Sequence, residues 1–365
     1  MKRKVKVGIV GLGRSGWEIH ANTLAKFPKM YEMKAVFDPI EERRQEAVNR
    51  FGCNTYSDFE SIINDVDIEL IIIATPNHLH SSQTIKALRA GKNVVCEKPM
   101  AVNLAEADAM IAACKDSGKI LTIFHNRRYY PDFLKVKEVI ASGKLGRIIL
   151  IKIHSHSFKR RWDWQTLKKF GGGELRNNGP HFIDQALQLL GSNEPEVFYD
   201  LQKTLTLGDA EDHVKIVLKY PECPVIDIEI TNACAYPLKK WMIMGTQGGL
   251  TGKTSSIRWK YFDMKSLPPR KVKENPTPNR SFNQEEIPWK EEIWHKSKRH
   301  PLISKIFRNK HDSLESGSYY FYEELYRTLC ENTPLAITPE SVRRAMWVIE
   351  KCLETNEKVD LKDLS

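Results

Sequence analysis

The sequence predicts a doubly wound, parallel α/β sheet over residues 1–124, followed by a second part, 125–365, built on a mixed or mostly antiparallel sheet. Three observations predict it. Short apolar runs alternate with helical patterns through the first 125 residues, as they do where helices cover both faces of a parallel sheet. A glycine-rich turn directly follows the first run. Past residue 125 the pattern changes, and the strands at 214–244 succeed one another with no helices between them. A length of 365 residues suits about two domains.

Val5–Val10 reads as a strand, and a helix begins near Ser15. Residues 33–37 form a second strand ending at Asp38, and 41–50 a charged helix. The run 68–74 is apolar enough for a strand buried on both faces. Residues 82–89 form a helix closed by Gly91, and Asn93–Cys96 the next strand. From 104 to 115 apolar residues recur at three- and four-residue spacing, with Gly118 as C-cap. A sixth strand, 120–124, completes the first domain. Beyond it, 133–140 is helical, Gly143 and Gly146 make a turn, and 148–158 alternates as an exposed strand would. An amphipathic helix occupies 175–190 or part of it, before strands at 214–219, 225–232 and 241–244. Residues 267–301, rich in Pro and charge and carrying Trp289 and Trp294, read as an excursion outside the core. Helices at 319–331 and 339–354 end the chain.

With 41% hydrophobic and 28% charged residues, the composition is that of an ordinary globular protein. No apolar run approaches the ~20 residues of a membrane helix. Met1-Lys2-Arg3-Lys4 passes straight into a strand without a secretory h-region, so a cytoplasmic location is expected. Seven scattered cysteines without a C-x-x-C pair point to reduced thiols and away from zinc. His154 and His156 share a strand face but lack a third ligand, so no metal is expected. The net charge of +10 is concentrated in 251–311, where 15 Lys and Arg face 6 Asp and Glu. That excess reads as a solvated surface or interface edge, and no nucleic-acid partner is expected.

Gly11-Leu12-Gly13-Arg14-Ser15-Gly16 is a G-x-G-x-x-G run between strand and helix, and Asp38 follows 22 residues after Gly16. Together these make a dinucleotide fingerprint. Gly11 permits the tight turn, Gly13 lets backbone N–H groups reach a pyrophosphate, and Gly16 lets helix and strand approach. The anion sits at the positive end of the helix. Asp38 would accept hydrogen bonds from ribose hydroxyls and repel a 2′-phosphate, so the expected cofactor is NAD; Arg43 and Arg44 keep NADP as the alternative. Thr75 and Asn77, at the carboxyl end of strand 68–74, are expected to line the cofactor channel. Glu97 and Lys98 end the next strand at the same edge.

The fingerprint, T-P-N-x-x-H at Thr75 to His80, E-K-P at Glu97 to Pro99, and Gly171-Gly172-Gly173 followed by G-P-H-x-x-D at Gly179 to Asp184 together resemble the glucose–fructose oxidoreductase / inositol dehydrogenase / rhizopine-catabolism (Gfo/Idh/MocA) family. The resemblance runs over essentially the whole chain, with 267–316 as a subgroup-specific insertion and 319–354 as the closing helices. It implies a Rossmann domain, a second α/β domain with a large open-faced sheet, a homodimer or homotetramer formed through that sheet, and NAD(P)-dependent chemistry on sugars and polyols. It also implies a cis peptide at Lys98-Pro99 and a cofactor contact for His80.

The resemblance further implies that Lys98 contacts the reacting hydroxyl and that His181 exchanges its proton as general acid/base, a task suited to imidazole. A nearby ammonium stabilises alkoxide charge. Where the family often has an aspartate four residues before the histidine, this chain has Asn177, which orients substrate but carries no charge. Asp184 lies at i+3 from His181, placed to face it, with a capping or ion-pair role as the alternative. Arg127 divides between substrate contact and an interdomain ion pair. Trp162 is suited to stacking on a sugar ring, with core packing as its alternative. The triple glycine reads as a flexible turn. Two further readings stand beside a dehydrogenase: a sugar-modifying enzyme that recycles its NAD within one turnover, and a non-catalytic NAD-binding regulator.

Overall fold

A computed structural model describes residues 3–191, 194–276, 278, 280, 282–296 and 315–354. Six parallel strands form the first sheet: β1 (Val5–Val10), β2 (Tyr31–Phe37), β3 (Asn54–Tyr56), β4 (Leu70–Ile73), β5 (Asn93–Cys96) and β6 (Leu121–Ile123). Their order is β3-β2-β1-β4-β5-β6, the doubly wound arrangement whose order reverses beside β1. All four residues of β4 are buried, because helices cover both faces. The connecting helices are α1 (Ser15–Ala21, continued by Asn22–Leu24), α2 (Glu41–Phe51), α3 (Phe59–Asn64), α4 (His80–Arg89) and α5 (Leu104–Ser117). The first turns of α1 are π-wound. Asn103 caps α5 by accepting from the Glu106 N–H, and Gly118 ends it in the left-handed conformation. Short elements such as β3 and α3 escaped the sequence reading because three to six residues hold too little of any period to register.

After α6 (Pro131–Ala141), β7 (Ile148–His156), α7 (Glu174–Asn177) and α8 (Gly179–Leu190) comes a run of strands: β8 (Glu196–Gln202), β9 (His213–Lys219), β10 (Val225–Thr231), β11 (Trp241–Gly245), β12 (Gly248–Lys253), β13 (Ser256–Tyr261) and β14 (Lys290–His295). With β7 they make one mixed sheet, ordered β14-β13-β12-β11-β7-β10-β9-β8. Only the β7–β10 pair is parallel. Alternation sorts the strands' side chains: Ile151, Ile153, Ile216 and Ile228 are buried, whereas Ile149, Phe198, Met242 and Ile293 are exposed.

Two expectations need correction. The helix expected at 175–190 is two helices, broken at Asn178 where Gly179-Pro180 starts the second. The excursion expected at 267–301 contains β14, which pairs with β13 along its full length and buries Trp294. A single edge strand flanked by Pro and charge carries no periodic signal beyond its own few residues. Residues 277, 279, 281 and 297–301 of that segment lie outside the described residues.

The last helices, α9 (Glu315–Glu331) and α10 (Pro339–Lys351), follow the second sheet in sequence yet return to the first domain, α9 packing also on 126–129 and α10 on α8. The Tyr31 hydroxyl donates to Tyr322 O at 2.7 Å, and Thr122 Oγ1 to Ile337 O at 2.8 Å. Among the described residues no helix is long and apolar enough to cross a membrane, and no His, Cys, Asp and Glu cluster is arranged to hold a metal. All seven cysteines are free.

Candidate functional site

A groove of about 650 Å³ opens at the carboxyl ends of β1, β2, β4 and β5, lined by Gly11, Gly13, Arg14, Ser15, Asp38, Thr75, Asn77, His80, Glu97 and Lys98 among others. That is the edge where open α/β sheets bind ligands, and the size suits a small-molecule site. Its floor depends on three glycines with different duties. Gly11 has φ 91° and donates its N–H to Phe37 O at 2.7 Å; a Cβ there would press on Ala74 O. A Cβ at Gly16 would overlap Gly11 O, whereas one at Gly13 would meet nothing of the chain. Gly13 thus leaves its space to a ligand.

Asp38 is buried, and its carboxylate accepts from Leu12 N at 2.7 Å and Ile40 N at 3.0 Å. It thereby pins the glycine turn against β2. Each oxygen can take a further hydrogen bond, and the residue still lines the groove. Arg43 approaches it at 3.4 Å, and Arg44 donates to its main-chain oxygen at 2.6 Å. Leu12 and Gly16 shape this turn from within. The cradle therefore fits a dinucleotide: a turn with backbone N–H groups, clear space at Gly13 and an acceptor at Asp38.

Asn77 donates to Gly171 O at 2.8 Å, and the imidazole of His80 sits between Pro99 O (2.7 Å) and Thr75 O (2.9 Å). Both tie the groove wall together. The turn at Gly171, Gly172 and Gly173 is closely packed rather than flexible, since added Cβ atoms would strike Val102, Gln165 and Glu211 in turn. Glycine is needed there for close approach.

The Lys98-Pro99 peptide is cis. Half-buried Lys98 donates through Nζ to Asn177 O at 2.8 Å, with Asn177 Oδ1 at 3.5 Å. Asn177 ends α7, and the break at Asn178 turns the chain so that His181 lies in the first turn of α8. His181 is buried, its Nδ1 has no partner among the described residues, and its ring lies edge-on to His125 at 5.8 Å. Burial, then Arg127, Lys98, His125 and Lys240, hold the His181 pKa well below its ordinary value. Burial and the cations Arg127 and Arg14 bring Lys98 down to about 8, against the pull of Glu97 and Glu174.

Beneath Lys98 runs a polar chain that sequence reasoning missed. Glu97 Oε2 accepts from Lys98 N at 3.0 Å, and Oε1 lies 3.1 Å from His20 Nε2. His20 Nδ1 lies 2.5 Å from the Tyr322 hydroxyl. Because a carboxylate only accepts, His20 donates from Nε2, which leaves Nδ1 for the hydrogen bond with the Tyr322 hydroxyl. Burial pushes the Glu97 carboxyl up, but His20 and Lys98 outweigh it and hold it at about 2. No local pattern signals His20 or Tyr322, which meet across 302 residues.

Asp184 and Trp162, read from the sequence as substrate residues, do not line this groove. Asp184 is buried with both oxygens on Arg128, at 2.6 and 2.8 Å, and its nearest histidine is His125 at 3.8 Å rather than His181. A guanidinium fork matches a carboxylate better than an imidazole edge does. Trp162 is 76% exposed, and Trp164, with Gln165, lines the groove instead. Arg127 lies beside Asn178 Oδ1 at 3.4 Å and over the Phe182 ring at 5.3 Å.

Residues 5–125 match the family model described as "Oxidoreductase family, NAD-binding Rossmann fold", and 133–251 match the GFO/IDH/MocA C-terminal domain. The chain is 31% identical over 250 residues to the uncharacterized oxidoreductase YdgJ of Escherichia coli K12, covering 68% of this chain and 71% of that one. It is 33% identical over 189 residues to the scyllo-inositol 2-dehydrogenase (NADP(+)) IolW of Bacillus subtilis 168, covering 51% and 52%. Among solved structures, levoglucosan dehydrogenase in complex with NADH and levoglucosan shares the fold with a TM-score of 0.79 at 22% identity, covering 96% of this chain and 97% of that one.

Proposed function

We propose, from the premise that this chain belongs to the Gfo/Idh/MocA oxidoreductase family, that it moves hydride between a nicotinamide cofactor and a secondary alcohol or ketone of a sugar, polyol or derivative. The single observation that carries the reading is the convergence of Lys98 and His181. One lines the cofactor groove and reaches Asn177 O at 2.8 Å, and the other begins the helix that follows Asn177.

Bound NAD would supply the carbon that accepts or returns hydride. The N–H groups of the glycine turn would hold its pyrophosphate, and Asp38 its ribose hydroxyls. Asp38 supports NAD over NADP, since a buried carboxylate repels a 2′-phosphate. The Lys98 ammonium would steady negative charge growing on the substrate oxygen. The His181 imidazole, neutral at neutral pH because burial disfavours its cation, would take the hydroxyl proton during oxidation. Asn177 carries no charge to draw that proton back, so its part is to orient Lys98 and substrate.

The test is a panel of sugars, polyols, sugar acids and their keto forms with NAD and NADP. Net NADH formation or consumption with a panel member is expected. Tight co-purified cofactor with sugar conversion but no net NADH would replace this reading with internal recycling. NAD binding without any conversion would point to a regulator.

A further inference from the structure

Two cations beside His181 make no direct ion pair with a carboxylate. Among the described residues, neither Lys98 nor Arg127 has a carboxylate oxygen within 4.0 Å. Lys98 rests on Asn177, while Arg127 rests on Asn178 Oδ1 and the faces of Phe182 and Tyr130. The neighbouring acids are engaged elsewhere. Asp184 is taken by Arg128, and Asp132 by Lys240 at 2.7 Å and Trp241 Nε1 at 2.8 Å. Glu97 is held by His20, and Glu174 accepts from Asn178 at 2.6 Å and Asn232 at 3.2 Å. The side chains these cations do reach with hydrogen bonds, Asn177 for Lys98 and Asn178 for Arg127, are uncharged amides.

Glu97 and Glu174 act on Lys98, and Asp132 and Glu174 on Arg127, only from beyond ion-pair distance; half-buried cations without a direct counter-ion are costly, and a neutral polyol would leave them so. We infer that the substrate is a sugar or polyol derivative bearing a carboxylate, which Arg127 grips while Lys98 meets the reacting hydroxyl. The guanidinium fork can take the paired oxygens of either a carboxylate or a phosphate, but a carboxylate fits better, because its single negative charge on Arg127 leaves the Lys98 ammonium free for the hydroxyl. The inference names the substrate class for the site proposed above and rests on that reading for the role of Lys98.

The test is calorimetric binding to the NADH-loaded protein of matched pairs, D-glucose with D-glucuronate and D-galactose with D-galacturonate, and of a sugar phosphate. At least one acid is expected to bind about tenfold or more tighter than its neutral parent and than the phosphate. Arg127→Gln should bring that ratio near one while NADH affinity, read by its fluorescence, stays within about twofold. Should Arg127→Gln not fold, Asn178→Asp serves: a carboxylate beside Arg127 should cut the preference for acid about tenfold. Equal binding within each pair, tighter binding of the phosphate, absence of binding by any acid, or a preference that survives the variants would overturn the inference. An acid that binds through Arg127 yet yields no NADH with NAD would instead sink the dehydrogenase reading and leave the substrate class standing.

Discussion

The Lys98 ammonium lies 2.8 Å from the main-chain oxygen of Asn177, a contact across 79 residues that joins the cofactor groove to the end of α7, directly before the helix of His181. Removing the amine should spare the glycine turn and Asp38. Lys98→Ala is therefore expected to bind NAD within about threefold of the parent while kcat falls at least ~100-fold. Steady-state kinetics beside a cofactor titration checks both, and unchanged turnover would remove Lys98 from the chemistry.

The pH profile follows from the same pair. The His181 pKa lies well below 6.5 and that of Lys98 at about 8. For oxidation, the imidazole must be neutral and the amine charged, so kcat/KM should stay level from pH 6.5 to neutrality and fall as pH rises through about 8. A profile still climbing above that point would mean that Lys98 acts as a neutral base instead.

Gly13 and Gly16 should separate binding from folding. Gly13→Ala adds a Cβ that meets nothing of the chain, so thermal stability is expected to hold while NAD affinity drops at least ~10-fold. Gly16→Ala drives its Cβ into Gly11 O and should lower the melting temperature as well. Equal NAD affinity in Gly13→Ala and the parent would mean that the pyrophosphate lies elsewhere.

Asp184→Asn leaves the Arg128 guanidinium, only 11% exposed, without its ion-pair partner. A loss of about 3–5 kcal/mol in stability is expected, seen by denaturant unfolding, with KM for substrate moving little. A large KM change at unchanged stability would restore Asp184 to the substrate site.

Glu97 links stability to acid. Its folded pKa of about 2 lies below the ordinary 4.5, so its contribution is complete above pH 4.5 and is lost as pH falls towards 2. That shift corresponds to roughly 3 kcal/mol. Glu97→Gln should flatten the decline of stability across this window, as urea unfolding at stepped pH would show. An unchanged decline would assign acid sensitivity to other carboxylates.

Local pattern was enough for the class of both sheets, five of the first sheet's six strands and four of the second's eight, the glycine turn with Asp38, and the E-K-P and G-P-H-x-x-D motifs that mark the family. Strand alternation, capping and a phosphate turn are each written within a few consecutive residues, so a single sequence determines them. Tertiary structure decided the rest. Asp184 pairs with Arg128 rather than facing His181, Trp164 rather than Trp162 reaches the groove, and α9 returns to set Tyr322 against His20. Burial and the charges packed around each group also set the protonation of Lys98, His181 and Glu97. These outcomes depend on groups brought together from tens to hundreds of residues apart, and no pattern along the chain records which distant side chain arrives first at a shared partner.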